Sequence, residues 1–131
     1  MRDHTKLRTF ESADRLVLEV YRATRQFPRD EQFGLTAQVR RACVSIVSNI
    51  VEGCARRTEA DYLHFLDMAY ASSREAQYQL SLAFRLGYLI QADYDALRQV
   101  SEQTSKLLGA LTKALRQQTP GEARAHSTDA P

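Results

Sequence analysis

Five groups of residues are of types that can do chemistry. Asp61, His64 and Asp67 recur at three-residue steps, which on a helix sets an imidazole between two carboxylates. A transition metal held there would want another strong ligand, and the remaining histidines, His4 and His126, fall in terminal stretches. Glu52 and Glu75 can be imagined as a carboxylate pair inside a bundle. Di-iron bundles, however, add Glu-x-x-His motifs on two helices, and this chain contains none. Arginines 41, 56 and 74 stand ready to neutralise the two glutamates instead. Cys43 and Cys54 are the only cysteines. On one helix they lie about 16 Å apart along the axis, too far for a disulfide, so two buried, reduced thiols are expected. The basic doublets Arg40-Arg41 and Arg56-Arg57 can meet phosphate or simply face water. Tyr70, Arg74 and Tyr78, at four-residue steps, can stack on unpaired bases or serve as half-buried packing.

A Gly-rich phosphate loop, a nucleophile elbow and a Cys/His pair are all missing from the sequence. The expectation is a protein that is not an enzyme, with no catalytic residues, no metal and no cofactor.

The elements that must position these residues are helices. Gly and Pro are rare between residues 10 and 117, and apolar residues recur at three- and four-residue steps. A first helix runs through Ala13, Leu16, Val20, Thr24 and Phe27 and is closed by Pro28. Phe33-Gly34-Leu35 connects it to a second helix, capped by Thr36 and reaching about Ala55, whose last turn Gly53 weakens. Thr58 followed by Asp61 has the form of a capping box and opens a third helix extending to Gly87. A fourth begins at Gln91 or Asp93 and continues through Leu97, Val100, Thr104, Leu107, Leu111 and Ala114. Four such helices on short loops predict an all-α, antiparallel up-and-down four-helix bundle. The bundle is expected over residues 10–117, after a flexible segment 1–9 and before a disordered tail 118–131.

Net charge is +2, too little by itself to name a nucleic-acid partner. Its distribution is uneven. Residues 1–57 carry eleven Lys/Arg against seven Asp/Glu, or +4, and residues 58–131 carry seven against nine, or −2. No apolar run approaches a membrane span, and the N-terminal residues lack the apolar stretch of a secretory signal. A cytoplasmic location without membrane contact is expected.

On a helical wheel the second helix divides sharply. Val39, Cys43, Ile46 and Ile50 form a core stripe, and Cys54, Val47, Val51 and Val44 widen the apolar arc to roughly 160°, against about 100° for an ordinary surface helix. Either this helix is the most buried of the four, or Val44, Val47 and Val51 meet another subunit. Gln38, Ser45, Asn49, Glu52 and Arg56 make a polar ridge on the other flank, with Glu52 and Arg56 spaced for an ion pair. The ridge is a solvated face, a hydrogen-bonded seam between helices, or a binding surface for sugar, phosphate or a partner's backbone.

Gln38-Val39-Arg40-Arg41-Ala42, Ser45-Ile46, Ser48-Asn49-Ile50 and Glu52-Gly53 together resemble the signature of bacterial four-helix bundle proteins encoded in intervening sequences of large-subunit ribosomal RNA genes. Phe27-Pro28, Phe33-Gly34-Leu35, Phe65-Leu66, Ala69, Ser72, Glu75 and Leu86-Gly87-Tyr88-Leu89 extend the resemblance over roughly residues 10–115. It implies a ring-like homopentamer. The family is similar to the accessory protein of diversity-generating retroelements, a pentamer that binds its reverse transcriptase and nucleic acid through a basic surface. This chain departs from the pattern at Val47, where proline is frequent, and at Val51, where alanine is frequent.

The resulting expectation is a self-assembling, RNA- or DNA-associated accessory protein. Arg40, Arg41, Arg56 and Arg57 would contact phosphate from beside Asn49 and Glu52, with Val44, Val47 and Val51 at the subunit interface. The alternative is an oligomeric scaffold that recruits a protein partner and never touches nucleic acid.

Overall fold

The computed structural model describes residues 2–118. Four α-helices account for most of them: α1 (Arg8–Ala23), α2 (Leu35–Cys54), α3 (Glu59–Arg85) and α4 (Gln91–Gln118). Each packs on its neighbour in sequence, and α1 closes the square against α4. The fold is an all-α, antiparallel up-and-down four-helix bundle.

Local chemistry sets most helix ends. The Thr58 side chain accepts a hydrogen bond from the Asp61 amide at 3.1 Å and so starts α3. At the other end of α3, Gly87 takes φ +83, Tyr88 N–H donates to Ala83 C=O and Gly87 N–H to Phe84 C=O. That pair of bonds is a Schellman closure, and the left-handed turn is why a glycine stands there. Helix α1 stops at Ala23, earlier than Pro28 requires, and passes into a 3-10 turn over Thr24–Gln26, with the Thr24 hydroxyl donating to Val20 C=O at 2.7 Å. Helix α2 starts at Leu35 rather than after a Thr36 cap. The Glu31 carboxylate accepts from the Leu35 amide, so the cap comes from a residue upstream of the connector.

The core is built from Leu16, Val20, Ile46, Ile50, Tyr62, Leu66, Leu80 and Leu108, all nearly or wholly without exposure. Such side chains contribute roughly 1.5–3 kcal/mol each when fully buried. Hydroxyls supply the register. Ser12 pairs with Thr104 across α1 and α4 (2.7 Å), Ser45 with Ser72 across α2 and α3 (3.0 Å), and Ser73 with Ser105 across α3 and α4 (2.8 Å). Each pair is worth only about 1 kcal/mol, yet sliding one helix against the next would strand both partners.

The N-terminal segment departs from the expected flexible stretch over residues 1–9. A short 3-10 turn covers His4–Lys6, and Arg2 N–H donates to Cys54 C=O at 3.0 Å. The Arg2 guanidinium lies over the Tyr62 ring, 3.9 Å from its centroid, and pairs with Glu59 at 2.9 Å. Aromatic face and carboxylate together tether the segment to the α2–α3 corner, and Leu7 packs on the core. The expected tail reaches the described residues only at Gln118, the last residue of α4; residues 119–131 lie outside them.

Two glycines on the helices should respond oppositely to alanine. A Cβ at Gly53 would sit 3.0 Å from Phe65 Cβ and 3.2 Å from Tyr62 Cδ1, whereas at Gly109 the nearest atom is 4.0 Å away in Tyr70. Gly53→Ala is expected to cost about 1–3 kcal/mol through overpacking, and Gly109→Ala to gain up to about 1 kcal/mol of helix propensity. Urea unfolding of the two variants checks both signs.

Candidate nucleic-acid interface

Helix α2 is wedged between α1 and α3, and that position sorts the residues of its polar ridge. Asn49 is only 8% exposed. Its side-chain amide donates to Ser45 C=O at 2.8 Å and to Ser45 Oγ at 3.1 Å, and Ser45 in turn meets Ser72 of α3. Ser45 therefore carries the bond between the helices, and buried Asn49 backs it from within α2, where an unpaired amide would be costly. Gln38, Glu52 and Arg56 remain exposed. The ridge is half seam and half surface.

The arginines separate in the same way. Arg40 is partly buried: its Nε donates to Thr24 Oγ1 at 2.8 Å, its Nη2 reaches Tyr21 C=O at 3.4 Å, and the guanidinium lies 4.6 Å from the Tyr21 ring centroid. It joins α2 to the C-terminal turn of α1, where a cation meets free carbonyls and the negative end of the helix dipole. Arg41, Arg56 and Arg57 are exposed. The Glu52–Arg56 pair expected from spacing is not among the ion pairs of the described residues; the Arg56 guanidinium lies over Phe65 instead, at 4.6 Å.

The valine flank is graded rather than uniform. Val47 packs against the core, Val51 is intermediate and Val44 is 39% exposed. Leu18 (51%) and Tyr21 of α1 are exposed as well. The Arg40 bridge ties α2 to Thr24 and Tyr21 at the end of α1. Neither α1 residue figured in the sequence-based expectation. Their signal was available: Leu18 and Tyr21 are apolar positions off the stripe of Ala13, Leu16 and Val20.

The other groups stand apart. Asp61, His64 and Asp67 are exposed; Asp67 pairs with Arg116 and the His64 ring sits edge-on to Phe65. Among the described residues no cluster of three or more His, Cys, Asp or Glu is placed to hold a metal ion. Glu75 accepts from Gln79 Nε2 at 3.1 Å, not from an arginine, and Glu52 and Glu75 are both exposed rather than paired in the core. Burial pushes the Cys43 thiol up to about 12, and Cys54 is also raised, mainly by burial. Both thiols are free, and a thiol kept neutral is a poor nucleophile. No helix among the described residues is long and apolar enough to cross a membrane.

These features define the class: an up-and-down four-helix bundle protein whose second helix carries a hydrogen-bonded seam inside and a basic, partly apolar edge outside. The chain belongs to the 23S rRNA-intervening sequence protein family, which matches it over residues 5–110. It is similar in fold to a solved structure from Bacteroides thetaiotaomicron VPI-5482, described as a protein with unknown function from the S23 ribosomal protein family. The TM-score is 0.74 at 23% identity, covering 80% of this chain and 95% of that one. No curated protein matches the sequence.

The split within the first arginine doublet is open to test. Arg40→Ala is expected to cost about 1.5–3 kcal/mol, the range for hydrogen bonds to a charged group, and Arg41→Ala less than about 0.5 kcal/mol. Thermal unfolding of the two variants measures the difference. The thiols give a second test: native protein at about pH 8 should react with an aromatic disulfide reagent far more slowly than denatured protein, which titrates both cysteines.

Proposed function

We propose that this protein is a non-enzymatic, self-assembling bundle that acts as an RNA-associated accessory protein. The observation that carries this reading is the state of three arginines, Arg41 on α2 and Arg56 and Arg57 in the turn just beyond it. Arg41, Arg56 and Arg57 are exposed and take part in no ion pair among the described residues, although Glu52 stands one helical turn from Arg56. Cations left without carboxylates along one helix and the turn that follows it are what a phosphate backbone needs. Arg40 is spent on α1 and leaves the contact set. Asn49 leaves it too, since its amide is committed to the seam. Glu52 would lie beside the phosphates without contacting them.

Assembly would proceed through the strip formed by Leu18, Tyr21 and Val44, with Val51 at its edge and Val47 largely used by the core. A strip of this kind supports a closed homo-oligomer, and the family resemblance favours a pentameric ring. The ring would repeat the basic edge around its circumference and multiply a weak contact.

A fluorescence titration of labelled structured RNA tests the reading. Binding should weaken about fortyfold between about 50 and about 200 mM salt if three arginines release counterions, and it should be lost with Arg41, Arg56 and Arg57 all changed to alanine. The solution mass, read in parallel, should fall to that of one chain for Val44→Asp. An assembled protein that binds no RNA at either salt is instead the protein-recruiting scaffold.

A further inference from the structure

The α3–α4 face carries a second concentration of cations. Two adjoining cavities open there, about 350 Å³ and about 320 Å³, and they share Arg74, Gln77 and Glu102 in their walls. Arg98 lines the first and Lys106 the second. Three cations therefore stand against one carboxylate, and Glu102 reaches only Arg98, at 3.9 Å. The floor is closed to water-seeking groups: Ser73 and Ser105 satisfy each other, and Ser101 donates to Arg98 C=O at 3.0 Å.

Aromatic faces border the same groove. Tyr70 lines the second cavity, with its ring edge beside Gly109 of α4. Tyr94 lines the first, but its ring is stacked on Phe84 at 4.5 Å with the Arg98 guanidinium 5.8 Å from its centroid, so it serves as wall rather than platform. Tyr78, 60% exposed, lies beyond the two cavities and continues the row of Tyr70 and Arg74 by one more turn of α3, with the Arg85 guanidinium 5.7 Å from its ring centroid. From residue 70 to residue 80 the lining runs along about 15 Å of helix, long enough for a few nucleotides.

We infer that the α3–α4 groove binds a single nucleic-acid strand, with Arg74, Arg98 and Lys106 on its phosphates and Tyr70 and Tyr78 stacked on unpaired bases. Exposed rings distinguish this site from the α2 edge. A duplex keeps its bases stacked inside and offers the groove only phosphates, whereas an open strand can use both halves of the chemistry. The inference rests on the nucleic-acid reading above and narrows it, assigning base contact to α3–α4 and leaving α2 to the phosphate backbone.

The test titrates the full chain with a labelled single-stranded RNA of about a dozen nucleotides and with a duplex of the same length. Three variants accompany the wild type: Arg74→Ala/Lys106→Ala, Tyr70→Leu/Tyr78→Ala, and Arg41→Ala/Arg56→Ala/Arg57→Ala. Arg74 and Lys106 have no ion-pair partner among the described residues, and Tyr70→Leu keeps apolar packing beside Gly109; circular dichroism confirms folding. For wild type on the single strand, log K should fall with log salt at a slope of about −2 for three cations, and the Arg74/Lys106 variant should bring it to about −0.7. The tyrosine variant should weaken single-strand binding by roughly tenfold or more and leave duplex binding unchanged. Single-strand binding that survives both groove variants but disappears with the α2 variant overturns this inference and leaves the proposed function standing. A wild type that binds neither RNA overturns both. Competition by polyglutamate or free triphosphate as strong as that by the oligonucleotide also overturns it, because the rings would then read nothing.

Discussion

The close contact between α2 and α3 is the constraint on which the rest depends. At Gly53 a Cβ would come within 3.0 Å of Phe65 Cβ and 3.2 Å of Tyr62 Cδ1, so α2 lies tightly on the Phe65–Tyr62 ridge. At that spacing the short side chains of Ser45 and Ser72 can meet, and the Asn49 amide can close onto Ser45 without water. The same corner holds Arg2, stacked on Tyr62 and paired with Glu59, so the N-terminal segment is tethered as a consequence of how α2 meets α3. A wider spacing would open the seam, wet the amide and release the segment together.

Hydrophobic burial and hydroxyl pairing divide the work of specifying the bundle. Leucines, isoleucines and valines supply most of the cohesion, but a helix with a broad apolar arc has several acceptable rotations and slides. Hydroxyl pairs at three of the four helix–helix seams, with Arg40 on Thr24 at the fourth, penalise the wrong ones. Polar groups used in this way are withdrawn from the surface. Asn49 and Arg40 read as surface chemistry in one dimension and act as fasteners in three. Arg41, Arg56, Arg57, Arg74 and Lys106 are among the cations that internal register did not consume.

The comparison with relatives concerns the fold and the family. At 23% identity a shared bundle is what the similarity to the Bacteroides protein supports, and that protein is itself of unknown function. The surface chemistry of this chain has to be argued from its own residues.

Much of this architecture was legible before any coordinate. Helical periodicity, scarce glycine and proline, the Thr58 cap and the glycine after α3 are local signals, decided within one or two turns, and they specify four helices in the observed order. The Val39–Cys43–Ile46–Ile50 stripe likewise announced which side of α2 faces inward. Which partner each remaining side chain meets was not legible, because it depends on residues far away in sequence: Ser12 with Thr104, Arg40 with Thr24, Arg2 with Glu59. Helix start points also moved when a cap came from outside the helix, as Glu31 does for α2. The groove between α3 and α4 is divided: the Tyr70–Arg74–Tyr78 row was legible from its spacing, but Arg74, Arg98 and Lys106 come together only after two helices choose their faces and their register. Sequence alone determined the elements and their inward stripes, through short-range sterics and burial; the tertiary structure decided which polar groups became fasteners and which stayed free to bind.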